Sequence, residues 1–327
     1  MGDAIKTKIK DSEHENPKIQ ILLAAYNGAS YLTQQIDSLL AQTYTNWELI
    51  ISDDGSADTT PDILSDYEEK YQGKIKIVGK DKSHMGACAN FFYLLREADA
   101  EYVMFCDQDD YWEKEKIEIS FNEMLNAETE TGSKIPILVF TDLKVVDSDL
   151  NTISDSYMKY ARLDPGKVNP NRMIIQNTVT GCTALMNRKL CDLALLCSDS
   201  ADVIMHDWWV SLVASCFGEL RYINQATIRY RQHGENITGA KNIYSISFLF
   251  DKIFKNNDIY LRLTDSAKQA GKFVEIYGDI MPVKTKKLFS DYSKIHKLNK
   301  FKKFYVFCRH GIFMHSLARK VGQLIFG

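Results

Sequence analysis

Four short apolar runs, each ending in a polar turn and followed by a helical pattern, constrain the fold of this chain more than any other feature. They are Ile19–Ala25, 47–52, 75–78 and Tyr102–Cys106. Between them, residues 31–42 place Ile36, Leu39 and Leu40 on one helical face. A second helix is expected from about Thr60, with Pro61 at its first position, where the missing N–H costs nothing. A third is expected over 86–98. Strands alternating with helices predict a largely parallel sheet covered on both faces. In such sheets ligands sit beyond the carboxyl ends of the strands, so chemistry is expected in the turns after the apolar runs. From Ile137 onward the pattern is less regular, with strands expected at 137–141, 183–186 and 219–230. Beyond Ala240 it reads as mostly helical and basic. The expected division is a disordered tail over 1–17, a catalytic unit over 18–239 and a helical region over 240–327.

The turn after the fourth run is Asp107-Gln108-Asp109-Asp110. Carboxylates packed this closely repel one another, so a positive partner is expected. A hard divalent cation such as Mg²⁺, held by carboxylates together with substrate phosphates, fits best. Flanking Phe105, Tyr111 and Trp112 argue against a purely solvated acidic loop.

Four other segments bear on the same crevice. Ala24-Ala25-Tyr26-Asn27-Gly28 closes the first run with small, turn-prone residues that let backbone approach a ligand; an ordinary strand-to-helix turn would look the same. The chain has neither a G-x-G-x-x-G fingerprint nor a P-loop there. Asp53-Asp54-Gly55-Ser56 closes the second run. A carboxylate there can accept a nucleobase N–H, or serve an Asp-Gly turn with helix capping. In His206-Asp207-Trp208-Trp209, Asp207 is either a helix cap or a general base whose pKa is set by aromatic walls. In Tyr230-Arg231-Gln232-His233-Gly234, Arg231 and His233 suit phosphate and metal contacts, against the commoner structural use of a lone His.

Taken in this order, the five segments resemble the family 2 glycosyltransferases of the GT-A fold, a Rossmann-like α/β architecture with a mixed, mostly parallel sheet. The likeness spans residues 19–239. Asp-Gln-Asp-Asp with His-Asp-Trp-Trp and Arg-Gln-His-Gly is most similar to bacterial rhamnosyltransferases of cell-wall and capsule polysaccharide synthesis. The resemblance implies that Ala25, Tyr26 and Asn27 line the nucleotide pocket and that Asp53 or Asp54 binds the base. It implies Asp107 near the ribose and Asp109 on Mg²⁺ or Mn²⁺. His233 would be a further metal ligand, Arg231 a contact to phosphate or acceptor, and Asp207 the base of an inverting transfer. The implied donor is dTDP-β-L-rhamnose, with another nucleotide sugar such as a UDP-hexose as the alternative, and the implied acceptor a lipid-diphosphate-linked glycan. Many relatives have Glu-Asp where this chain has His206-Asp207, which leaves His206 without a role, as is Asp110.

Charge distribution adds a second expectation. The formal net charge is −3, yet residues 284–327 hold eleven Lys/Arg against one acid, Asp291, so this end carries +10 and the remainder −13. Residues 301–326 mix Lys302, Lys303, Arg309, Arg319 and Lys320 with Phe304, Phe307, Ile312, Phe313, Leu317, Val321 and Leu324. A basic amphipathic helix with aromatics is the pattern of an interfacial membrane helix; a helix packed on the catalytic unit or at a subunit contact has the same composition. No nucleic-acid-binding motif accompanies the charge. The seven cysteines are scattered with no C-x-x-C pair, which predicts free thiols, a reducing compartment and no zinc site. The first seventeen residues lack an apolar h-region and no run of 18 apolar residues occurs, so the expected location is cytoplasmic, peripheral on the inner face of the membrane. Self-association into a homo-oligomer is compatible with all of this. A sugar nucleotidyltransferase would share the layout, but its Gly-rich, basic first turn is replaced here by Tyr26-Asn27-Gly28-Ala29-Ser30. A non-catalytic nucleotide-sugar-binding protein would not need Asp107, Asp109 and Asp207 together.

Overall fold

The computed structural model describes residues 16–79, 84–201, 203–232 and 256–326. In chain order the first half runs β1 (Ile19–Ala25), α1 (Ala29–Leu40), β2 (Trp47–Asp53), α2 (Thr60–Lys70), β3 (Ile75–Ile77), α3 (Ala87–Glu97) and β4 (Tyr102–Cys106). There follow β5 (Tyr111–Trp112), α4 (Lys116–Thr131), β6 (Ile137–Val146), β7 (Thr152–Ser154), α5 (Tyr157–Tyr160) and α6 (Pro170–Met173). A 3₁₀ turn at Gly181–Thr183 leads into β8 (Ala184–Asn187), α7 (Arg188–Ala194), α8 (His206–Phe217) and β9 (Glu219–Arg231). The last elements are α9 (Asn256–Tyr277), α10 (Val283–Tyr292), α11 (Lys300–His310) and α12 (Leu317–Phe326).

The sheet order is β3-β2-β1-β4-β8-β6-β9-β5, with β7 on β6. β3, β2, β1 and β4 are parallel, β8 runs antiparallel to both β4 and β6, and β6 and β9 are parallel. The expected mixed α/β sheet is therefore present, its parallel half formed by the four runs that open the chain. Because side chains alternate across a strand, β4 feeds two cores. Val103 and Phe105 join one, Tyr102, Met104 and Cys106 the other. The second core is closed by α1 through Leu32, Ile36 and Leu39, and by α4 through Ile117, Phe121, Met124 and Ala127. The spacing of these α4 residues, i, i+4, i+7 and i+10, is helical and lay unread in the sequence. β6 extends past the expected 137–141 because Leu143, Val145 and Val146 stay buried while pairing continues along β9, with irregularities at Thr141, Asp142 and Lys144.

The first core gathers α3, α7 and α8 with the C-terminal helices. Phe273 of α9 is 0% exposed and lies 5.3 Å from Trp209, 4.5 Å from Tyr277 and 4.8 Å from Phe289, centroid to centroid. Gln269 Oε1 accepts the Ile204 N–H at 2.9 Å, and the Tyr277 hydroxyl donates to the Leu193 carbonyl at 2.9 Å. The basic stretch 301–326 is two helices, not one. α11 ends at Gly311, whose φ of +64 is the left-handed conformation glycine adopts without penalty. Segment 312–316 then docks on residues 164–176: His315 Nδ1 accepts the Asp164 N–H at 2.9 Å, Gln176 Oε1 accepts the His315 N–H at 2.9 Å, and Arg172 donates to the Phe313 carbonyl at 2.6 Å. Removing the Phe273 ring empties the junction of α8, α9 and α10. Phe273→Ala is expected to lower unfolding free energy by about 3–5 kcal/mol in urea titrations followed by circular dichroism.

Candidate active site

The carboxyl ends of β1, β2 and β4 converge, and short polar bonds tie their turns together. The Gln108 side chain reaches the backbone of Tyr26, accepting its N–H at 2.8 Å and donating to its carbonyl at 2.9 Å. A Cβ on Gly28 would stand 2.2 Å from Gln108 Oε1, so only glycine allows this approach. Asn27, at φ +48, donates its N–H to Ser56 Oγ at 2.8 Å and accepts the Ala57 N–H through Oδ1 at 2.8 Å. The expected residues Ala25, Tyr26 and Asn27 are thus brought beside Asp53 and Asp107, with the Tyr26 ring exposed and 4.4 Å from that of His84.

The two acids after β2 separate. Asp54 is 2% exposed and accepts the N–H groups of Met85 at 2.7 Å and Gly86 at 2.8 Å, where the chain enters α3. Asp53 is partly exposed and accepts the Ser56 N–H at 3.1 Å.

In the acidic turn, Asp107 and Asp109 are partly exposed and Asp110 is buried. Burial, then the charges of Asp109 and Asp207, push the Asp107 carboxyl up to about 7. Burial, then the charges of Asp109 and Asp107, push Asp110 well above the usual carboxylate range. Asp110 Oδ1 accepts the Arg231 N–H at 3.1 Å, while its Oδ2 has no partner among the described residues. Asp107, Asp110 and Cys182 each bring a ligand atom within 4.8 Å of the others. Burial holds the Cys182 thiol protonated, so the donors that remain are oxygens, the set a hard cation prefers. Crowded carboxylates held partly protonated and an unpaired buried oxygen fit a divalent cation. Beneath them lies Lys116, fully buried, its ammonium 4.0 Å from the Trp112 ring centroid and lowered by burial to about 8.

Arg231 is corrected by the structure. It is 1% exposed, and its guanidinium is engaged by the scaffold rather than offered to a phosphate. Nε donates to the Asp109 carbonyl at 2.8 Å, Nη2 to Gln34 at 2.7 Å and Nη1 to the Ser148 carbonyl, with the Tyr31 ring 4.4 Å away. It fixes the turn that carries Asp109. His233 lies outside the described residues.

α8 presents the remaining acid. Asp207 is its second residue, and Oδ2 accepts the Gly181 N–H at 3.2 Å. Its Oδ1 is buried with no partner among the described residues. Burial outweighs the backbone N–H groups near it and raises the carboxyl to about 6. His206 is an aromatic spacer: its ring stacks 3.9 Å from Phe91 and meets Phe105 edge-on at 4.7 Å, and burial lowers it to about 3, so it is neutral. Gln108, Lys116 and Gly181 are the site residues that sequence reading missed. Only Gln108 had a signal, as the one non-acid of its turn.

Residues 20–193, more than half of the chain, match the model for Glycosyl transferase family 2. The chain belongs to that family. Among curated relatives, it is 28% identical to the dTDP-rhamnosyl transferase RfbG of Shigella flexneri over 227 residues, 67% of this chain and 74% of RfbG. Among solved structures it is similar in fold to S. aureus TarS 1–349 in complex with UDP (TM-score 0.52, 16% identity, 88% of this chain and 74% of that one). It is also similar to the mannosyltransferase PcManGT of Pyrobaculum calidifontis in complex with GDP-Man and Mn²⁺ (TM-score 0.51, 14% identity, 93% and 79%). These are GT-A glycosyltransferases, and the fold expected from the sequence is theirs.

Gly181 joins β8's approach to α8. A Cβ there would lie 2.9 Å from His206 Nε2 and 3.3 Å from Asp207 Cβ, and the His206 ring is clamped by two phenylalanines. Gly181→Ala is expected to cost about 1–3 kcal/mol of stability and to reduce turnover more than substrate affinity, checked by thermal melting alongside steady-state kinetics.

Proposed function

We propose that this glycosyltransferase inverts the anomeric centre of its donor sugar, with Asp207 as general base. The observation that carries the reading is the Asp207 carboxylate: raised by burial to about 6, with Oδ1 buried and unpartnered among the described residues, and close enough to Asp107 to affect its charge. Such a group accepts a proton from an acceptor hydroxyl near neutral pH. The freed oxygen attacks the anomeric carbon from the face opposite the nucleoside diphosphate, and Gly181 N–H keeps the carboxylate oriented.

On the donor side, Asp53 is the proposed partner of the base, since it is partly exposed while Asp54 is buried with both oxygens on the entry to α3. Tyr26 offers an exposed ring, Ala25 and Asn27 the backbone beside it, and Asp107 the contact to the ribose. Mg²⁺ or Mn²⁺ would be held by Asp109, with His233 proposed on sequence alone, and when bound neutralises charge on the leaving diphosphate. The likeness to RfbG supports dTDP-β-L-rhamnose as donor. A lipid-diphosphate-linked glycan in surface polysaccharide synthesis is the proposed acceptor.

No helix among the described residues is long and apolar enough to cross a membrane. A peripheral contact is proposed through α11, where Phe301, Phe304 and Tyr305 are exposed beside Lys302, Lys303 and Arg309. Val306 and Phe307 hold the opposite face to the core.

Three results are expected. Because the Asp207 carboxyl is protonated below about 6 and cannot then accept a proton, kcat should fall as pH drops through that value. Asp207→Asn should remove this limb and about 10²–10⁴-fold of turnover with unchanged circular dichroism; near-normal turnover would falsify the assignment. In a donor-hydrolysis screen, EDTA should abolish activity and Mn²⁺ or Mg²⁺ restore it in the wild type but not in Asp109→Asn. Metal-independent turnover removes the role given to Asp109. In flotation with phosphatidylglycerol vesicles, the double variant Phe301→Ser and Phe304→Ser should stay largely in the unbound fraction, where wild type floats.

A further inference from the structure

Residues 172–181 have hydrogen-bond partners in two distant parts of the sequence. The first is the base-bearing helix. The Trp208 indole N–H donates to the Met173 carbonyl at 2.5 Å, and the Gly181 N–H donates to Asp207 Oδ2 at 3.2 Å. The second is the docked C-terminal segment. Arg172 donates to the Phe313 carbonyl at 2.6 Å, Gln176 Oε1 accepts the His315 N–H at 2.9 Å, and Thr178 Oγ1 lies 3.4 Å from His315 Nε2. Met173, Ile174, Ile175 and Val179 are buried in the first core. The stretch that delivers the Gly181 N–H to Asp207 is therefore fastened both to α8 and to residues 313–315.

His315 is the centre of the second attachment. It is 3% exposed. Its Nδ1 accepts the Asp164 N–H at 2.9 Å, so in the neutral ring the hydrogen is on Nε2, which donates to Thr178 Oγ1. Burial lowers the ring to about 4, so the neutral form is the one present. With its own N–H on Gln176, one residue fixes Asp164, Gln176 and Thr178 relative to one another. Between Thr178 and Gly181 the chain has little slack. Thr178 is 1% exposed, and Asn177 accepts the Val179 N–H at 3.0 Å and donates to the Val179 carbonyl at 2.7 Å. Beyond Gly181, the Thr183 N–H and hydroxyl both return to the Thr180 carbonyl, at 2.9 and 2.7 Å. These bonds leave no loose turn in which a displacement at Thr178 is absorbed before Gly181.

We propose that His315 is a positioning residue for the transfer: through Gln176 and Thr178 it holds segment 172–181 where the Gly181 N–H meets Asp207. This rests on the assignment of Asp207 as the base. It gives the docked C-terminal segment a part in aiming that base, although no residue of 312–316 is bonded to it in the structure. An N–H bonded to a carboxylate favours its charged form. Loosening the Gly181 bond therefore leaves Asp207 both less well oriented and easier to protonate.

Kinetics and amide hydrogen exchange on the full-length protein test this. His315→Ala should lower kcat about 10-fold with little change in KM, because a misplaced base costs turnover and not ground-state binding. The acid limb of its kcat profile should move to higher pH, since the lost N–H favours the protonated carboxyl. His315→Asn keeps an acceptor near the place of Nδ1 and should recover part of both changes. Gln176→Leu removes the acceptor of the His315 N–H without touching the ring, and should shift both readouts in the same direction by less. Exchange at the Gly181 and Thr183 amides should quicken several-fold in His315→Ala, while β1 and β4 exchange as in wild type. Unchanged kcat, acid limb and Gly181 exchange in folded His315→Ala and Gln176→Leu overturn the proposal. So does a fall in kcat with the acid limb and Gly181 exchange unmoved, and so does faster exchange throughout β1 and β4, which marks general destabilisation. If His315→Ala does not fold, His315→Asn and Gln176→Leu decide by the same readouts. The base assignment is tested apart from this: an acid limb that survives Asp207→Asn counts against that reading, whereas unaltered Gly181 exchange in His315→Ala counts only against this one.

Discussion

The mutual repulsion of Asp107, Asp109 and Asp110 organises this molecule. Two unit charges about 4 Å apart interact by about 4 kcal/mol at the effective dielectric of a protein surface, and by more when burial screens them less. Raised pKa values at Asp107 and Asp110 relieve part of that force by protonation, and the turn must be held against the rest. It is held by main-chain anchors on every side. Gln108 bonds the Tyr26 backbone, Arg231 binds the Asp109 carbonyl and donates its own N–H to Asp110, and Lys116 lies in the floor. Arg231 carries the last rung of β9 into this turn, and so joins the parallel half of the sheet to the mixed half.

Much of this was legible in the sequence, for a reason specific to the first half of the chain. β1, β2 and β4 are buried along almost all of their length, so they appear as nearly unbroken apolar runs whose ends are visible, and Asp53, Asp107 and Asp109 stand at or just past such ends. Asp53, Asp107 and Asp109 were therefore placed by pattern alone. The pattern fails where burial and chemistry part company. Arg231 reads as a phosphate ligand because guanidinium suits phosphate, but the same geometry suits carbonyls, and only the packing of α1 and the loop at Ser148 around it decides between them. Gly181 carries no side chain to announce that α8 begins against it. The helical spacing in α4 was present and was outweighed by the conspicuous acids just before it.

The basic end shows the same ambiguity resolved differently by its two helices. In α11 the aromatic residues divide, Phe307 turned inward while Phe301 and Phe304 face out. In α12 Arg319 is drawn in while Leu317 is exposed. Composition is alike in both, and the break at Gly311 lets them present different residues to different surroundings. The first core runs from Phe91 through Trp209 to Phe289 without a gap, so these helices are structural parts of the wall behind Asp207.

His315 and Asp164 are 151 residues apart in sequence and in direct contact. A contact of that separation cannot form early as the polypeptide emerges from the ribosome. Until residues 313–315 have been made, the segment that carries Arg172 and Gln176 lacks its partners, although α9 is complete by Tyr277 and can already cover the apolar side of α8. A nascent chain of this protein therefore leaves residues 164–176 without their C-terminal partners until the last helices are made. The order of assembly follows from that delay: β1 to β4 can pair at once, while segment 312–316 docks last.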